Sequence, residues 1–254
     1  MTQGRVSLGG HSLRYSDSGR SEPVFFCIHG LADTLEVWDA LEPALAGRGR
    51  VVRIDQRGHG GSGAPPGPCT REDLARDAIA MLDALAIPRA VLVGHSVGGI
   101  VAMSAAFAAP ERVAGLVLIG TASRCSERTA AWYERIAQAA EREGGDGLVR
   151  AIYGESSTRR VRGDAAAIAH IARMLTSLYH EPLTPQLATI ACRVLLLVGE
   201  KDLMGPKASQ TIRDALPSGR AELVVMPGCG HWLQLDAPDA VIAALDRWRS
   251  AQLT

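Results

Sequence analysis

The chain has 254 residues, of which 47% are hydrophobic and 21% are charged, and its 27 basic residues balance its 27 acidic ones. This composition excludes a disordered or fibrous chain. The absence of net charge also argues against nucleic acid or an anionic membrane as a partner. The length suits two small domains or one large α/β domain, and we favour one domain with a small-molecule partner.

The cysteines and the N-terminal segment bear on the compartment. An odd number of widely spaced cysteines without a C-x-x-C pair predicts reduced thiols. The first residues lack the cationic start and apolar run of a signal peptide, and no stretch has the apolar length of a membrane span. We therefore expect a soluble cytoplasmic protein. Nothing in the sequence indicates an oligomeric state.

Predicted strands begin with a hairpin. Two alternating segments, "RVSLGG" and "SLRYSDSG", flank a Gly9-Gly10 turn and predict antiparallel strands. Six shorter apolar runs follow: "PVFFCIHG", "RVVRIDQRG", "AVLVGHS", "GLVLIGTA", "RVLLLVGE" and "ELVVMPG". Strands that are apolar on both faces are typical of a parallel sheet covered by helices. The patterns predict a mostly parallel sheet of eight strands.

Helical patterns alternate with these strands. In "TREDLARDAIAMLDALAI", Thr70 and Asp73 form a variant of the N-terminal capping box. The apolar residues of this segment fall on one helical face, as expected for a helix packed against a sheet. Alternation of strands and helices predicts a doubly wound α/β fold.

Residues 122–190 break the alternation because they contain only helical patterns, such as "TAAWYERIAQAAERE" and "DAAAIAHIARMLTSLYHEP". Helices without an intervening strand cannot belong to the sheet layer. We therefore predict a single domain with a core of residues 1–121 and 191–254, and a helical cap of residues 122–190, called here the helical segment. We expect the cap to act as a lid, and a purely structural subdomain is the alternative.

A serine stands at a predicted turn between a strand and a helix. Residues 94–98, "GHSVG", match G-x-S-x-G, follow an apolar strand and precede the helical pattern "IVAMSAAFAAP". Such a turn presents the serine hydroxyl at the end of the sheet, next to the N-H groups of a helix N-terminus. Ser96 is therefore the candidate nucleophile.

A serine needs a base, and the base needs an acid to orient it. His231 follows the last strand and a glycine-rich turn, so it can reach over the same edge of the sheet. The loop after "RVLLLVG" supplies Glu200 and Asp202. We choose Asp202, with Glu200 as the fallback, because Ser, Asp, His is the chain order of a nucleophile-elbow fold.

A tetrahedral oxyanion needs hydrogen-bond donors. One is the backbone N-H of Val97, directly after the nucleophile, and the other is expected from Leu31 in the loop after "VFFCIHG". Gly30 permits the close approach of the backbone there.

These motifs resemble the α/β-hydrolase superfamily over nearly the whole chain. "CIHGLADTLEVW" looks like its oxyanion loop, "RIDQRGHGGS" like its D-x-R-G-x-G-x-S turn and "GHSVGG" like its nucleophile elbow, while "LLVGEKD" and "PGCGHW" complete the order. The resemblance implies an α/β-hydrolase fold and hydrolysis without a cofactor. We expect an esterase or lactonase that acts on a small ester through an acyl-enzyme.

Other functions of the same fold stay open. A serine at the elbow argues against the haloalkane dehalogenases and epoxide hydrolases, which resemble this fold but use aspartate. Carbon-carbon hydrolases remain possible because "GCGHWLQ" looks like their histidine loop, although their oxyanion loop usually carries additional glycines and a proline. Cofactor-free haloperoxidases and enol-lactonases also resemble this chain. So do hormone receptors and stress-signalling proteins of the same fold, which turn over little or nothing.

Two further site types are not expected. "GHGGSG", residues 58–63, satisfies G-x-G-x-x-G, but "APPGPC" follows at once, so no helix N-terminus can face a pyrophosphate. No His, Asp and Glu residues have metal-ligand spacing, so we expect no metal.

Candidate substrate-binding residues and a group of arginines complete the prediction. Gly30, Trp132 and Trp232 are candidate substrate-binding residues, and Tyr133, Tyr153 and Tyr179 are either pocket or packing residues. The arginines are interpreted as a solvated face beside glutamates, with binding of a substrate carboxylate or an acyl-carrier phosphate as the alternative. They are Arg124, Arg128, Arg135, Arg142, Arg150, Arg159, Arg160 and Arg162.

Overall fold

The computed structural model of the chain describes residues 1–19 and 21–250. Its strands are β1 (Thr2–Ser7), β2 (Ser12–Asp17), β3 (Val24–Ile28), β4 (Arg50–Ile54), β5 (Ala90–His95), β6 (Val113–Ile119), β7 (Arg193–Gly199) and β8 (Ala221–Met226). They form one eight-stranded sheet in the order β1-β2-β4-β3-β5-β6-β7-β8. The pairs β1-β2 and β2-β4 are antiparallel and the others are parallel. The predicted fold class is confirmed.

Helices cover both faces of the sheet. They are α1 (Glu42–Ala46), α2 (Arg71–Ala84), α3 (Val97–Ala108), α4 (Glu127–Tyr153), α5 (Ala165–Met174), α6 (Ser177–His180), α7 (Pro206–Ala215), α8 (Leu233–Asp236) and α9 (Pro238–Ser250). Strand β3 shows the two layers. Phe26 and Ile28 pack in the core that contains α2 and α3, whereas Phe25 and Cys27 pack in the core that contains Trp248 of α9. This two-residue period is the alternation of a strand buried on both faces.

The structure agrees with the sequence at the start of α2 and differs from it at β8. The capping box of α2 is present: the Thr70 hydroxyl accepts from the Asp73 N-H, and the Asp73 carboxylate accepts from the Thr70 N-H. Strand β8 differs from the prediction because most of its side chains are only half-buried. It lies at the edge of the sheet, where helices cover its faces less completely.

Residues 122–190, all of them described, add no strand to the sheet. They form α4, α5, α6 and a 3-10 helix at Thr184–Thr189. Helix α4 is interrupted at Gly144, whose φ is +59°, and α4 packs against α5. Buried Ile136 and Ile171 belong to the same apolar core as α2 and α3, so these helices pack on the domain. Within the described residues, no helix combines the length and hydropathy needed to cross a membrane.

Candidate functional site

Ser96 lies at the sharp turn between β5 and α3. Its backbone is in the positive-φ region, with φ +53° and ψ −117°, which costs about 1–3 kcal/mol for a residue with a side chain. The turn is tight: a Cβ on Gly98 would collide with the carbonyl oxygen of Ile28, and one on Gly94 would collide with that of Gly98. The Ser96 N-H donates to the Ile119 carbonyl at 2.9 Å. Small flanking residues therefore fix the serine at the carboxyl ends of the central strands.

His231 and Asp202 form a buried pair. Asp202 follows β7, His231 lies between β8 and α8, and the distance from His231 Nδ1 to Asp202 Oδ2 is 2.9 Å. A carboxylate only accepts hydrogen bonds, so Nδ1 donates to Asp202, and Nε2 is the acceptor atom of the neutral ring. Asp202 Oδ1 accepts from the Met204 N-H at 2.7 Å, which fixes the carboxylate.

Gly120 lies directly against this pair. Its φ is +54°, and a Cβ there would stand 2.8 Å from Asp202 Oδ2 and 3.0 Å from His231 Nδ1. The sequence analysis missed Gly120 as a site residue. The available signal was a glycine directly after an apolar strand, in "VLIGTA".

His95 supports the loop that carries His231. It is buried, and its Nε2 lies 3.0 Å from the His231 carbonyl oxygen. Because a carbonyl only accepts, Nε2 donates the hydrogen bond. Burial holds the pKa of His95 well below its usual value, so the ring is neutral. His95 therefore has a structural role in holding the loop that carries His231.

The loop after β3 approaches the elbow from the other side. His29 Nδ1 lies 2.7 Å from the Gly30 carbonyl oxygen, and His29 Nε2 accepts from the Gln56 N-H at 3.0 Å. These contacts fix the loop just before Leu31. Among residues 1–19 and 21–250, no backbone carbonyl or side chain accepts a hydrogen bond from the Leu31 N-H or the Val97 N-H.

One cavity, called here the inner cavity, contains most of the predicted site residues. Its volume is about 30 Å³, room for about two water molecules. The helical segment contributes Tyr133, Ile152 and Leu175 to the lining. Of the predicted site residues, Asp202 lies behind His231 and Val97 lies in the first turn of α3, so neither lines the cavity. The predicted residues that line it are Gly30, Leu31, Ser96, Trp132, His231 and Trp232.

A buried carboxylate that the sequence analysis missed connects the core to the helical segment. Asp33 accepts from Trp232 Nε1 at 3.0 Å and from the Tyr153 hydroxyl at 3.3 Å. Arg159 Nη1 lies 3.6 Å from the same carboxylate. Burial raises the pKa of Asp33, while the hydrogen bond from Trp232 and the Arg159 charge oppose that shift. The available signal was an acid in the predicted oxyanion loop, "HGLADT".

Arg159 is exposed, as the solvated-face interpretation expects, but its neighbours are two aromatic rings and an aspartate in place of a glutamate. Its guanidinium lies 4.7 Å from the centre of the Tyr153 ring and 4.6 Å from that of the Trp232 ring. Two aromatic faces and one carboxylate thus orient a single arginine. Other arginines of the segment do meet glutamates, as Arg150 does with Glu143. Tyr179, one of the aromatic candidates, is 42% exposed and lies outside the inner cavity.

The described residues contain no group of three or more His, Cys, Asp or Glu side chains placed to hold a metal ion. The inner cavity is lined by a serine and by a histidine whose Nδ1 faces a carboxylate.

Comparison with known proteins places the chain among hydrolases. A model described as the alpha/beta hydrolase family matches residues 25–244. The 3-oxoadipate enol-lactonase 2 of Acinetobacter baylyi is 30% identical over 207 residues, covering 75% of this chain and 76% of that protein. A thermophilic esterase from Thermogutta terrifontis, solved with malate bound, has a TM-score of 0.87 and 26% identity over 100% of both chains.

A longer relative also matches. The dihydrolipoyllysine-residue acetyltransferase component of the acetoin cleaving system of Pseudomonas putida is 26% identical over 250 residues, which make up 93% of this chain. The chain spans 66% of that relative's length.

Proposed function

This chain belongs to the alpha/beta hydrolase family, and we propose that it is a serine hydrolase that cleaves a small carboxylic ester or lactone through an acyl-enzyme. The observation that carries the proposal is the inner cavity, which both Ser96 and His231 line, while Asp202 holds His231 Nδ1 at 2.9 Å. A nucleophile, a base and an orienting acid together form a triad that carries out acyl transfer by serine.

The proposed reaction has two stages. His231 Nε2 takes the proton of Ser96 Oγ as the oxygen attacks the ester carbonyl carbon, and the N-H groups of Leu31 and Val97 stabilise the oxyanion. His231 then gives the proton to the leaving alkoxide, and the acyl-enzyme remains. A water molecule repeats the attack with His231 as base, and the acid and Ser96 are released. Asp202 stays ionised and stabilises the imidazolium.

The relatives support this substrate class. Their names include an esterase and an enol-lactonase, and both of those proteins match most of this chain. An acetyltransferase component also matches, so transfer of the acyl group to an acceptor other than water is the related reaction to compare. The serine at position 96 supports acyl transfer because its hydroxyl forms an ester with the substrate's acyl group.

We also propose that the helical segment acts as a lid on the core of residues 1–121 and 191–254. The inner cavity of about 30 Å³ is far smaller than the pockets of several hundred Å³ that small ligands usually occupy. Tyr133, Ile152 and Leu175 close it from the helical side. Movement of these helices away from Ser96 would admit a substrate and later release the product.

The test is steady-state hydrolysis of p-nitrophenyl esters of increasing acyl length. We expect many turnovers by the wild type, and a fall in kcat of at least about 1,000-fold for Ser96→Ala and for His231→Ala. Ser104→Ala is the matched control, because the Ser104 hydroxyl is buried in α3 without a hydrogen-bond partner among the described residues. Its kcat should equal that of the wild type.

Three results would contradict the proposal. Unchanged turnover by Ser96→Ala would exclude Ser96 as the nucleophile. A single burst without further turnover would favour a receptor of the same fold, and inertness toward every ester would favour a carbon-carbon hydrolase or a haloperoxidase.

A further inference from the structure

A second cavity lies beside the inner one. This outer cavity has a volume of about 480 Å³, and Asp33 lines both cavities. Arg159 lines the outer cavity and contacts Trp232, which lines the inner one. One layer of side chains therefore separates the space beside Ser96 from a much larger space.

The outer cavity is rich in positive charge. Arg159, Arg160 and Arg162 line it together with two acids, Asp33 and Glu36. Both acids already have partners: Asp33 lies beside Arg159, and Glu36 accepts from Arg14 Nη2 at 2.5 Å. Within the described ranges, Arg160 and Arg162 take part in no ion pair. The cavity thus holds two arginines that are available to an anion.

The loop that carries these arginines is fixed to the core. The Gly60 N-H donates to the Arg162 carbonyl at 2.9 Å, and the Asp164 N-H donates to the Gly58 carbonyl at 2.8 Å. The turn at residues 58–63, which cannot serve a dinucleotide, therefore anchors the arginine loop. Fixed backbone contacts lower the entropy cost of holding the guanidinium groups over the cavity.

The remaining walls of the outer cavity suit a short hydrocarbon chain. Ala32, Val37 and Leu235 contribute apolar surface beside the arginines. The inner cavity has room for the reacting carbonyl and little more. While the helical segment is closed, a substrate longer than this must extend out of the inner cavity, and the outer cavity is the adjoining space.

We propose that the outer cavity binds a carboxylate at the end of the substrate remote from the scissile bond, so that the substrates are half-esters or lactones of dicarboxylic acids. Arg160 and Arg162 bind the carboxylate, and Arg159, held by Tyr153 and Trp232, forms the boundary that the substrate chain passes. This inference rests on the proposed ester hydrolysis and adds its substrate class.

The experiment compares two ester series. Monomethyl esters of dicarboxylic acids, from succinate to sebacate, are assayed beside methyl esters of monocarboxylic acids with the same number of carbon atoms. The neutral ester lacks the charged hydrogen bonds to the arginines, so we expect kcat/KM for the best half-ester to exceed that for its neutral match by about tenfold or more. The preference should fall as salt is added, because the arginines are exposed.

Variants assign the preference to this cavity. In the double variant Arg160→Gln/Arg162→Gln, the ratio of kcat/KM for half-ester to neutral ester should fall to about one. The matched control is Arg128→Gln/Arg142→Gln, which removes the same charge from exposed positions of α4 that line neither cavity. The control should keep the wild-type ratio.

The outcomes separate the substrate class from the reaction. Serine-dependent hydrolysis of both series at equal rates would overturn the carboxylate site but not the proposed ester hydrolysis. A kcat/KM ratio of half-ester to neutral ester that stays at the wild-type value in Arg160→Gln/Arg162→Gln would have the same meaning. If no ester is hydrolysed, calorimetric titration of adipate into Ser96→Ala decides. Adipate binding to Ser96→Ala that is lost in the triple variant Ser96→Ala/Arg160→Gln/Arg162→Gln supports the carboxylate site. Absence of adipate binding to Ser96→Ala overturns it.

Discussion

The carboxyl edge of the sheet and the helical segment over it are built in different ways. At the sheet edge, glycines hold backbone and side chains at contact distance: Gly98 against β3, and Gly120 against the pair formed by Asp202 and His231. In the helical segment, many charged contacts lie on the surface, as where Arg173 bridges Glu134 and Glu141 of α4. The edge therefore tolerates little change, whereas the segment can vary in sequence while it still packs.

This difference separates the residues proposed to carry out the reaction from those proposed to select the substrate. The proposed nucleophile, base and acid all lie on loops at the ends of β5, β7 and β8. Residues 122–190 supply the side chains that close the inner cavity from the helical side and the three arginines that line the outer one. The substitutions below test the contrast, beginning with those at the sheet edge.

The largest effect is expected for Asp202→Asn. The amide would donate to His231 Nδ1 and so favour the tautomer with the proton on Nε2, which cannot accept from serine. We expect kcat for ester hydrolysis to fall by about 1,000-fold or more. Glu200→Gln is the control, because the Glu200 carboxylate accepts from the Gly228 N-H instead. Equal losses in both variants would contradict the choice of Asp202.

A smaller loss is expected for Gly120→Ala. The new methyl group would lie 2.8 Å from Asp202 Oδ2, so the pair must shift, and we expect kcat to fall by about tenfold to 100-fold. Gly219→Ala is matched for backbone strain: its φ is +76°, and nothing lies within 4 Å of its added Cβ. Both variants should lose about 1–2 kcal/mol of stability in thermal unfolding. If Gly219→Ala also lost activity, the contact at Gly120 would not be the cause.

Asp33→Asn tests the contact between the two regions. An amide keeps one acceptor oxygen and loses the charge beside Arg159, so the hydrogen bond from Trp232 Nε1 or from the Tyr153 hydroxyl is lost. We expect the free energy of unfolding to fall by about 1–3 kcal/mol. Hydrogen exchange of residues around Arg159 should accelerate more than exchange in β5. Equal acceleration in both places would show that the contact does not couple this segment to the core.

The smallest effect is expected at the surface of the helical segment. Arg173→Gln removes exposed ion pairs with Glu134 and Glu141, whose pKa values the arginine lowers. Such exposed pairs contribute little to stability, because solvent screens them. Thermal unfolding in low salt should show a slight loss that disappears in high salt, with ester hydrolysis unchanged. A loss as large as that of Asp33→Asn would contradict the contrast between surface and buried contacts.

The sheet and the elbow could be predicted because few residue types satisfy their backbone geometry. A serine between glycines, after a strand and before a helix, implies one turn, and short continuous apolar runs identified β3 and its neighbours. Asp202 and His231 could be predicted as a pair because each follows a strand, and the carboxyl ends of the two parallel strands lie at the same edge of the sheet.

The connections across the site could not be predicted. Asp33 contacts Tyr153 and Trp232, which lie 120 and 199 residues away in the chain. Arg159 could not be distinguished from the surface arginines, because its aromatic partners meet only in the fold. The reduced burial of β8 depends on its place in the strand order, which composition does not encode.

The central claim is that Ser96 carries the acyl group. The direct measurement is rapid acid quenching during turnover of a p-nitrophenyl ester, followed by intact-mass analysis and peptide mapping. We predict a mass increase equal to one acyl group, located on the peptide that contains Ser96 and absent from Ser96→Ala. Steady turnover without any acyl adduct, or an adduct on another residue, would contradict the account.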